Sequence, residues 1–194
     1  MKYYAVKQGR KPGIYSSWDE CKKQVEKYKG AIYKSFTSLK EANDFIKDEE
    51  VVIDNGLIAY VDGSYNIKTK EYGFGCVIIE DQKVIKEMYG KGNDDNYVSM
   101  RNVAGEILGS ICAMEFAKKH GYDGICIYYD YEGIEKWANG LWKANKVGTI
   151  EYQKKVKTYR EKLKIAFVKV LAHSGDFYNE RADQLAKKAV GING

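Results

Sequence analysis

Four carboxylates stand at positions where a charged side chain is costly to keep alone. Asp62 closes the apolar run Ala59-Tyr60-Val61, and Asp130 closes the apolar run Ile125–Tyr129. Glu106 lies beside the helical stripe Ile107, Leu108, Ile111, Met114 and Ala117, and Asp183 follows Glu180 by one turn in Asn179-Glu180-Arg181-Ala182-Asp183. The ends of strands in open sheets are where ligand sites gather. Taken singly, each acid has an ordinary explanation. Asp62 could cap a turn at Gly63, Asp130 could cap the next helix, and Glu106 and Asp183 could be solvated. Taken together they are expensive, because several negative charges cannot be gathered without cations. The immediate neighbours of Asp62 and Asp130 are not basic, so a hard divalent metal is the simpler partner. Mg²⁺ uses few carboxylates, keeps waters and takes further oxygens from a phosphate. Two such ions about 3.5–4 Å apart clamp the attacking and leaving oxygens of an in-line phosphoryl displacement.

The elements that must carry these acids follow from the pattern. Strands are expected at Leu57–Asp62, Tyr72–Glu80 and Lys83–Gly90, the last two joined by the turn Asp81-Gln82. A helix from Val103 to Lys119 comes next, then a strand at Ile125–Tyr129. Helices over Gly133–Ala144 and Glu151–Leu163, a strand at Ile165–Leu171 and a helix over Asn179–Val190 complete the series. An antiparallel meander followed by alternating helices and strands implies an α/β fold with a mixed five-stranded sheet flanked by helices. Ahead of it, residues 1–47 read as a small β-β-α-β-α domain. Its strands are Tyr3–Lys7, Gly13–Tyr15 and Ala31–Phe36, and Ser17 and Ser38 each cap a helix with a glutamate three residues on. A short linker at 48–55 separates it from a second domain at 56–194.

Composition sets the outer limits. The 194 residues are 44% hydrophobic and 30% charged with one proline, enough apolar material for a packed core. No run is long enough to span a membrane, and the start lacks a signal-peptide apolar region, so a cytoplasmic protein is expected. The four cysteines, Cys21, Cys76, Cys112 and Cys126, are scattered and read as buried thiols. The net charge of +5 is uneven: residues 1–47 carry 11 Lys/Arg against 5 Asp/Glu, and residues 48–194 carry 21 against 22. A basic lobe before a neutral one suits a division in which the first holds a polyanion and the second acts on it. An ordinary basic surface explains the charge equally well.

Order and local sequence are more specific. The strand ending Tyr60-Val61-Asp62-Gly63-Ser64, Gly105-Glu106 on the first long helix, the strand ending at Asp130, and Ala172-His173-Ser174-Gly175-Asp176 leading into Asn179-Glu180-Arg181-Ala182-Asp183 together resemble type 1 ribonuclease H over residues 56–191. The resemblance implies an Asp–Glu–Asp–Asp tetrad at Asp62, Glu106, Asp130 and Asp183 holding two Mg²⁺ ions, with Mn²⁺ as a substitute. Glu180 corresponds to an additional acid near the metal site, and His173 to the family's mobile histidine, suited to proton transfer or to metal and product release. His120, at a helix end, reads as a cation on a helix C-terminus. In the segment that grips the nucleic-acid backbone before the helix glutamate, Asn102 remains, Arg101 adds charge and Val103 replaces a polar residue. A basic, Trp-rich protrusion is reduced to 139–147, with Trp142, Lys143 and Lys146.

The N-terminal lobe resembles the hybrid-binding, viroplasmin-like domain that precedes many type 1 ribonucleases H. The resemblance implies that Tyr4, Trp18, Tyr33 and Lys34 face the DNA strand and that the loop Gly9–Gly13, with Arg10 and Lys11, lies near the RNA strand. Ser35 stands where a second lysine is common. Without the resemblance, Trp18 reads rather as a core residue on an amphipathic helix, because a lone aromatic at helical spacing usually packs. The implied activity is endonucleolytic cleavage of the RNA strand of RNA/DNA hybrids, leaving 5′-phosphate and 3′-hydroxyl ends, with no membrane contact and no obligate protein partner, in a monomer. Two competitors remain: a protein that only coats hybrids or duplex RNA, and a DNA-processing relative of the same fold such as an integrase or junction nuclease.

Overall fold

The computed structural model describes residues 2–46, 56–170 and 176–192. The chain divides into two compact units, Met1–Glu50 and Val51–Gly194, and the expected linker at 48–55 lies outside the described residues. In the first unit, β1 (Tyr3–Gln8) is the central strand between β2 (Gly13–Tyr15) and β3 (Ile32–Phe36), both antiparallel to it. α1 (Trp18–Val25) starts where the Ser17 hydroxyl accepts the Glu20 amide, 3.3 Å away. One face of β1 offers Val6 to Cys21 and Val25 of α1, and the other turns Ala5 towards α2 (Leu39–Ile46).

The second unit is built on a five-stranded sheet in the order β6-β5-β4-β7-β8. Its strands are β4 (Gly56–Asn66), β5 (Glu71–Glu80), β6 (Lys83–Gly92), β7 (Gly124–Tyr129) and β8 (Lys164–Lys169). β4, β5 and β6 are antiparallel neighbours, whereas β7 and β8 run parallel to β4. The β5–β6 turn holds Asp81 and Gln82 at φ 47° and 64°, the paired left-handed conformation whose twist matches that of the strands. The helices are α3 (Asp95–Val98), α4 (Asn102–Lys119), α5 (Gly133–Ala138), α6 (Val147–Arg160) and α7 (Phe177–Ala189). Strand alternation sorts the two long ones onto opposite faces. Leu57, Ala59 and Val61 of β4 pack with Ile107, Ile111 and Met114 of α4, while Ile58 and Tyr60 pack with Ala182 and Leu185 of α7. Among the described residues no helix is long and apolar enough to cross a membrane.

Several boundaries differ from expectation. β4 does not end at Asp62 but continues to Asn66, because β5 pairs with it along its whole length. The helix expected over Gly133–Ala144 stops at Ala138, where Asn139 caps it and Gly140 turns left-handed at φ 67°. The next helix begins at Val147, earlier than expected, and the short α3 carries too few residues to show a period. Of the four cysteines only Cys21 and Cys76 are buried; Cys112 and Cys126 are partly exposed.

Candidate active site and nucleic-acid surface

Parallel pairing of β4 with β7 ends at Tyr60 and Tyr128. Asp62 and Asp130 each follow two residues later, so matching steps along neighbouring parallel strands bring two carboxylates side by side. Glu106 comes from the helix above. Gly105 lies against Gly63 and Gly73: a Cβ on Gly105 would meet the Gly73 carbonyl and come within 3.0 Å of the Gly63 Cα, and a Cβ on Gly63 would meet the Asn102 carbonyl. This close approach sinks Glu106 to 1% exposure, where its Oε1 accepts the Asp130 and Tyr131 amides at 3.1 and 3.3 Å. Asp183 arrives on α7, whose Ala182 carbonyl lies where a side chain at Gly75 would be, and Gly75 is the β5 partner of Asp62.

The acids feel one another. Burial, followed by the charge of Asp130, pushes the Asp62 carboxyl up to about 7; Asp183 raises it further, while the Gly63 amide and Lys187 pull it down. The Gly63 N–H donates to Asp62 Oδ1 at 2.7 Å. Glu106 is pushed well above the usual carboxylate range by burial first, then by Asp130 and Asp62. Lys187 pairs with one acid of this set, its ammonium 2.7 Å from Asp183. Among the described residues no group of three or more His, Cys, Asp or Glu is already drawn together as a metal-holding set. Glu106 is tied to amides and Asp183 to Lys187. The donor set is all oxygen and at least partly buried, and it fits a hard divalent cation held by Asp62, Glu106, Asp130 and Asp183.

Not every expected participant joins them. Glu180 is exposed on the first turn of α7, and His173 lies outside the described residues. His120 caps the C-terminus of α4 with its ring stacked on Phe116 at 4.1 Å. Arg101 and Asn102 are exposed at the start of α4, with Arg101 at φ 53° and its guanidinium 6.0 Å from the Tyr65 ring. Beside this helix start opens a cavity of about 340 Å³ lined by Met100, Val103, Tyr131, Trp137, Lys143 and Lys146. The rings of Tyr131 and Trp137 are tilted with centroids 5.8 Å apart, and those of Trp137 and Trp142 meet edge to face at 5.8 Å. Sequence reasoning had singled out Trp142, Lys143 and Lys146 but not Tyr131 or Trp137. Tyr131 directly follows the strand-end Asp130, and Trp137 lies within α5.

On the first unit Trp18 lies between Tyr4 and Tyr33, with ring centroids 5.9 and 5.8 Å away. Trp18 is 41% and Tyr33 46% exposed, so Trp18 is not core. Lys34 does not join this row. It pairs with Ala5 on the other face of the sheet, where its ammonium sits over Phe36 at 5.5 Å. Arg10 donates to the Lys23 and Glu26 carbonyls at 2.9 and 2.8 Å, closing the end of α1 instead of projecting freely. Lys11 is exposed.

A mixed five-stranded sheet with two parallel strands presenting acids, crossed by a glutamate from one helix and an aspartate from another, defines the ribonuclease H fold class. The family model for RNase H matches residues 54–191 and that for the Ribonuclease H1 N-terminal domain matches residues 2–46. The chain belongs to the RNase H family. It is similar to Ribonuclease H of Saccharomyces cerevisiae, 43% identical over 61 residues covering 31% of this chain and 18% of that protein. It is also similar to human Ribonuclease H1, 25% identical over 96% of this chain and 88% of that protein. The solved structure of LC11-RNase H1 in complex with an RNA/DNA hybrid shares the fold with a TM-score of 0.58, 21% identity, and coverage of 70% of this chain and 96% of that one.

Proposed function

We propose that the second unit is an endoribonuclease that hydrolyses the RNA strand of RNA/DNA hybrids and that the first unit holds the hybrid. The observation that carries this reading is the electrostatic coupling of Asp62, Glu106 and Asp130, with Asp183 beside them and paired with Lys187. Two Mg²⁺ ions, or Mn²⁺ in their place, would supply activation of a water and stabilisation of a 3′-oxyanion leaving group, giving 5′-phosphate and 3′-hydroxyl ends. The chain's own residues then have distinct tasks. Glu106, locked by two backbone amides, keeps its second oxygen for a cation. Asp62 and Asp130 lie just past the end of the β4–β7 ladder, and Lys187 orients Asp183 and limits the charge that must be neutralised. His173 and Glu180 are assigned by their motif positions to proton handling and product release at the edge of the site.

The row of exposed Trp18 and Tyr33 with partly buried Tyr4 supports stacking on sugars and bases, with Lys11 and the unit's other cations meeting phosphates. Selection of a hybrid follows from contact with 2′-hydroxyls on one strand only. The groove formed by Tyr131, Trp137, Lys143 and Lys146, with Arg101 and Asn102, supports a second backbone contact close to the acids. The test is cleavage of hybrid, duplex DNA, duplex RNA and single-stranded RNA with and without chelator, by the native protein and by Asp130→Asn. Cleavage confined to the hybrid, abolished by chelator and reduced about 10²–10³-fold by Asp130→Asn, the usual size of losing one transition-state contact, is expected. Undiminished cleavage by the variant refutes the assignment.

A further inference from the structure

We infer that Asn179 is a positioning residue whose side-chain oxygen accepts a hydrogen bond from a water bound to a divalent cation in the acidic site; the inference rests on the proposed metal-dependent function. Asn179 is 4% exposed, yet among the described residues its Oδ1 is buried without a hydrogen-bond donor. Buried polar atoms of this kind are rare and need a reason. The backbone of the residue is already satisfied, its N–H donating to Asp176 Oδ1 at 3.0 Å, so the side chain is not needed to cap the helix.

Its place in the fold sets Asn179 beside the acids. Asn179 and Asp183 are four residues apart on α7 and share a face. Ala182, on the same side, rests over Gly75, which pairs with Asp62. Tyr178 lies 5.4 Å from Tyr60, two residues before Asp62 on the same face of β4. Asn179 therefore occupies the turn of α7 that covers the approach to Asp62 and Asp183. Two donors of the described residues on this side are engaged: Lys187 pairs with Asp183, and the Tyr60 hydroxyl is directed at Asp176 at 3.5 Å. A neutral acceptor beside a cluster of acids suits a donor that comes with the cation. Mg²⁺ keeps several of its waters, and coordination makes their protons stronger donors.

The test measures Mg²⁺ binding without nucleic acid, from the rise in thermal midpoint across a MgCl₂ series, for the native protein, Asn179→Leu and Asn179→Asp. Leucine removes the orphaned oxygen at nearly constant shape. Mg²⁺ affinity should weaken about 10-fold, the lower end for partners of metal-bound groups, while the metal-free midpoint stays level or rises. Aspartate keeps an acceptor and should bind Mg²⁺ at least as tightly as the native chain, and it carries the test alone if the leucine variant does not fold. Native affinity in Asn179→Leu, or an Asn179→Asp variant that binds Mg²⁺ more weakly than the native chain, overturns the inference while leaving the nuclease reading intact. A native protein that does not respond to MgCl₂ overturns both.

Discussion

At the scale of single residues, the site is governed by where charge is tolerated. The folded protein favours protonated Asp62, whose carboxyl is pushed up to about 7 by burial and by Asp130. A folded-state pKa above the unfolded value means stability that is fully present below the ordinary carboxylate range and is lost as pH rises through about 7. A bound cation relieves the same repulsion. The gain in thermal midpoint on adding MgCl₂ should therefore be larger near pH ~8 than near pH ~6, and Asp62→Asn should flatten that dependence. A gain independent of pH in the native protein would contradict the electrostatic origin of the shift. Of the expected participants, the four carboxylates could be named from sequence because each follows or joins an apolar pattern. Asn179 could not, because an unsatisfied oxygen exists only once every neighbour has been placed.

At the scale of elements, the site is assembled by glycine contacts between helices and sheet. Gly105 allows α4 to press on the Gly63 and Gly73 backbones, and it immediately precedes Glu106. Gly105→Ala introduces a methyl where the Gly73 carbonyl already lies. A loss of about 1–3 kcal/mol in urea unfolding is expected for such overpacking. Hybrid cleavage should fall as well at temperatures where the variant remains folded, because the displaced helix carries Glu106 away from Asp62. A variant of native stability and native activity would show that this approach does not set the geometry. Strand and helix types were legible from alternation and from capping residues such as Ser17, and the β5–β6 turn from its two-residue length. The run-on of β4 to Asn66 and the early stop of α5 were not. The first depends on a neighbouring strand, and the second on a glycine whose left-handed conformation the local pattern did not announce.

At the scale of the whole molecule, the chain separates a basic unit with exposed rings from a nearly neutral unit with buried acids. Trp18→Ala should weaken hybrid binding about 5–150-fold, the worth of one stacked aromatic, measured by fluorescence anisotropy in the absence of divalent cations. Turnover at saturating hybrid should be preserved, since Trp18 belongs to the unit that carries none of the acids. Binding should weaken steeply with added salt, as phosphate contacts displace counterions. An unchanged affinity in the Trp18 variant would return that ring to a packing role.

The sequence by itself determined the two-part charge distribution and, apart from the short α3, the order of elements, since these depend on residue type and on periods short enough to read along the chain. Only the tertiary structure decided which acids couple and which partners they take. It put Lys34 on the face away from Trp18, bound Arg10 to the end of α1 and, among the described residues, buried the Asn179 oxygen without a donor. Those outcomes depend on distances between residues far apart in the chain, set by strand register and helix packing, and no local pattern encodes them singly.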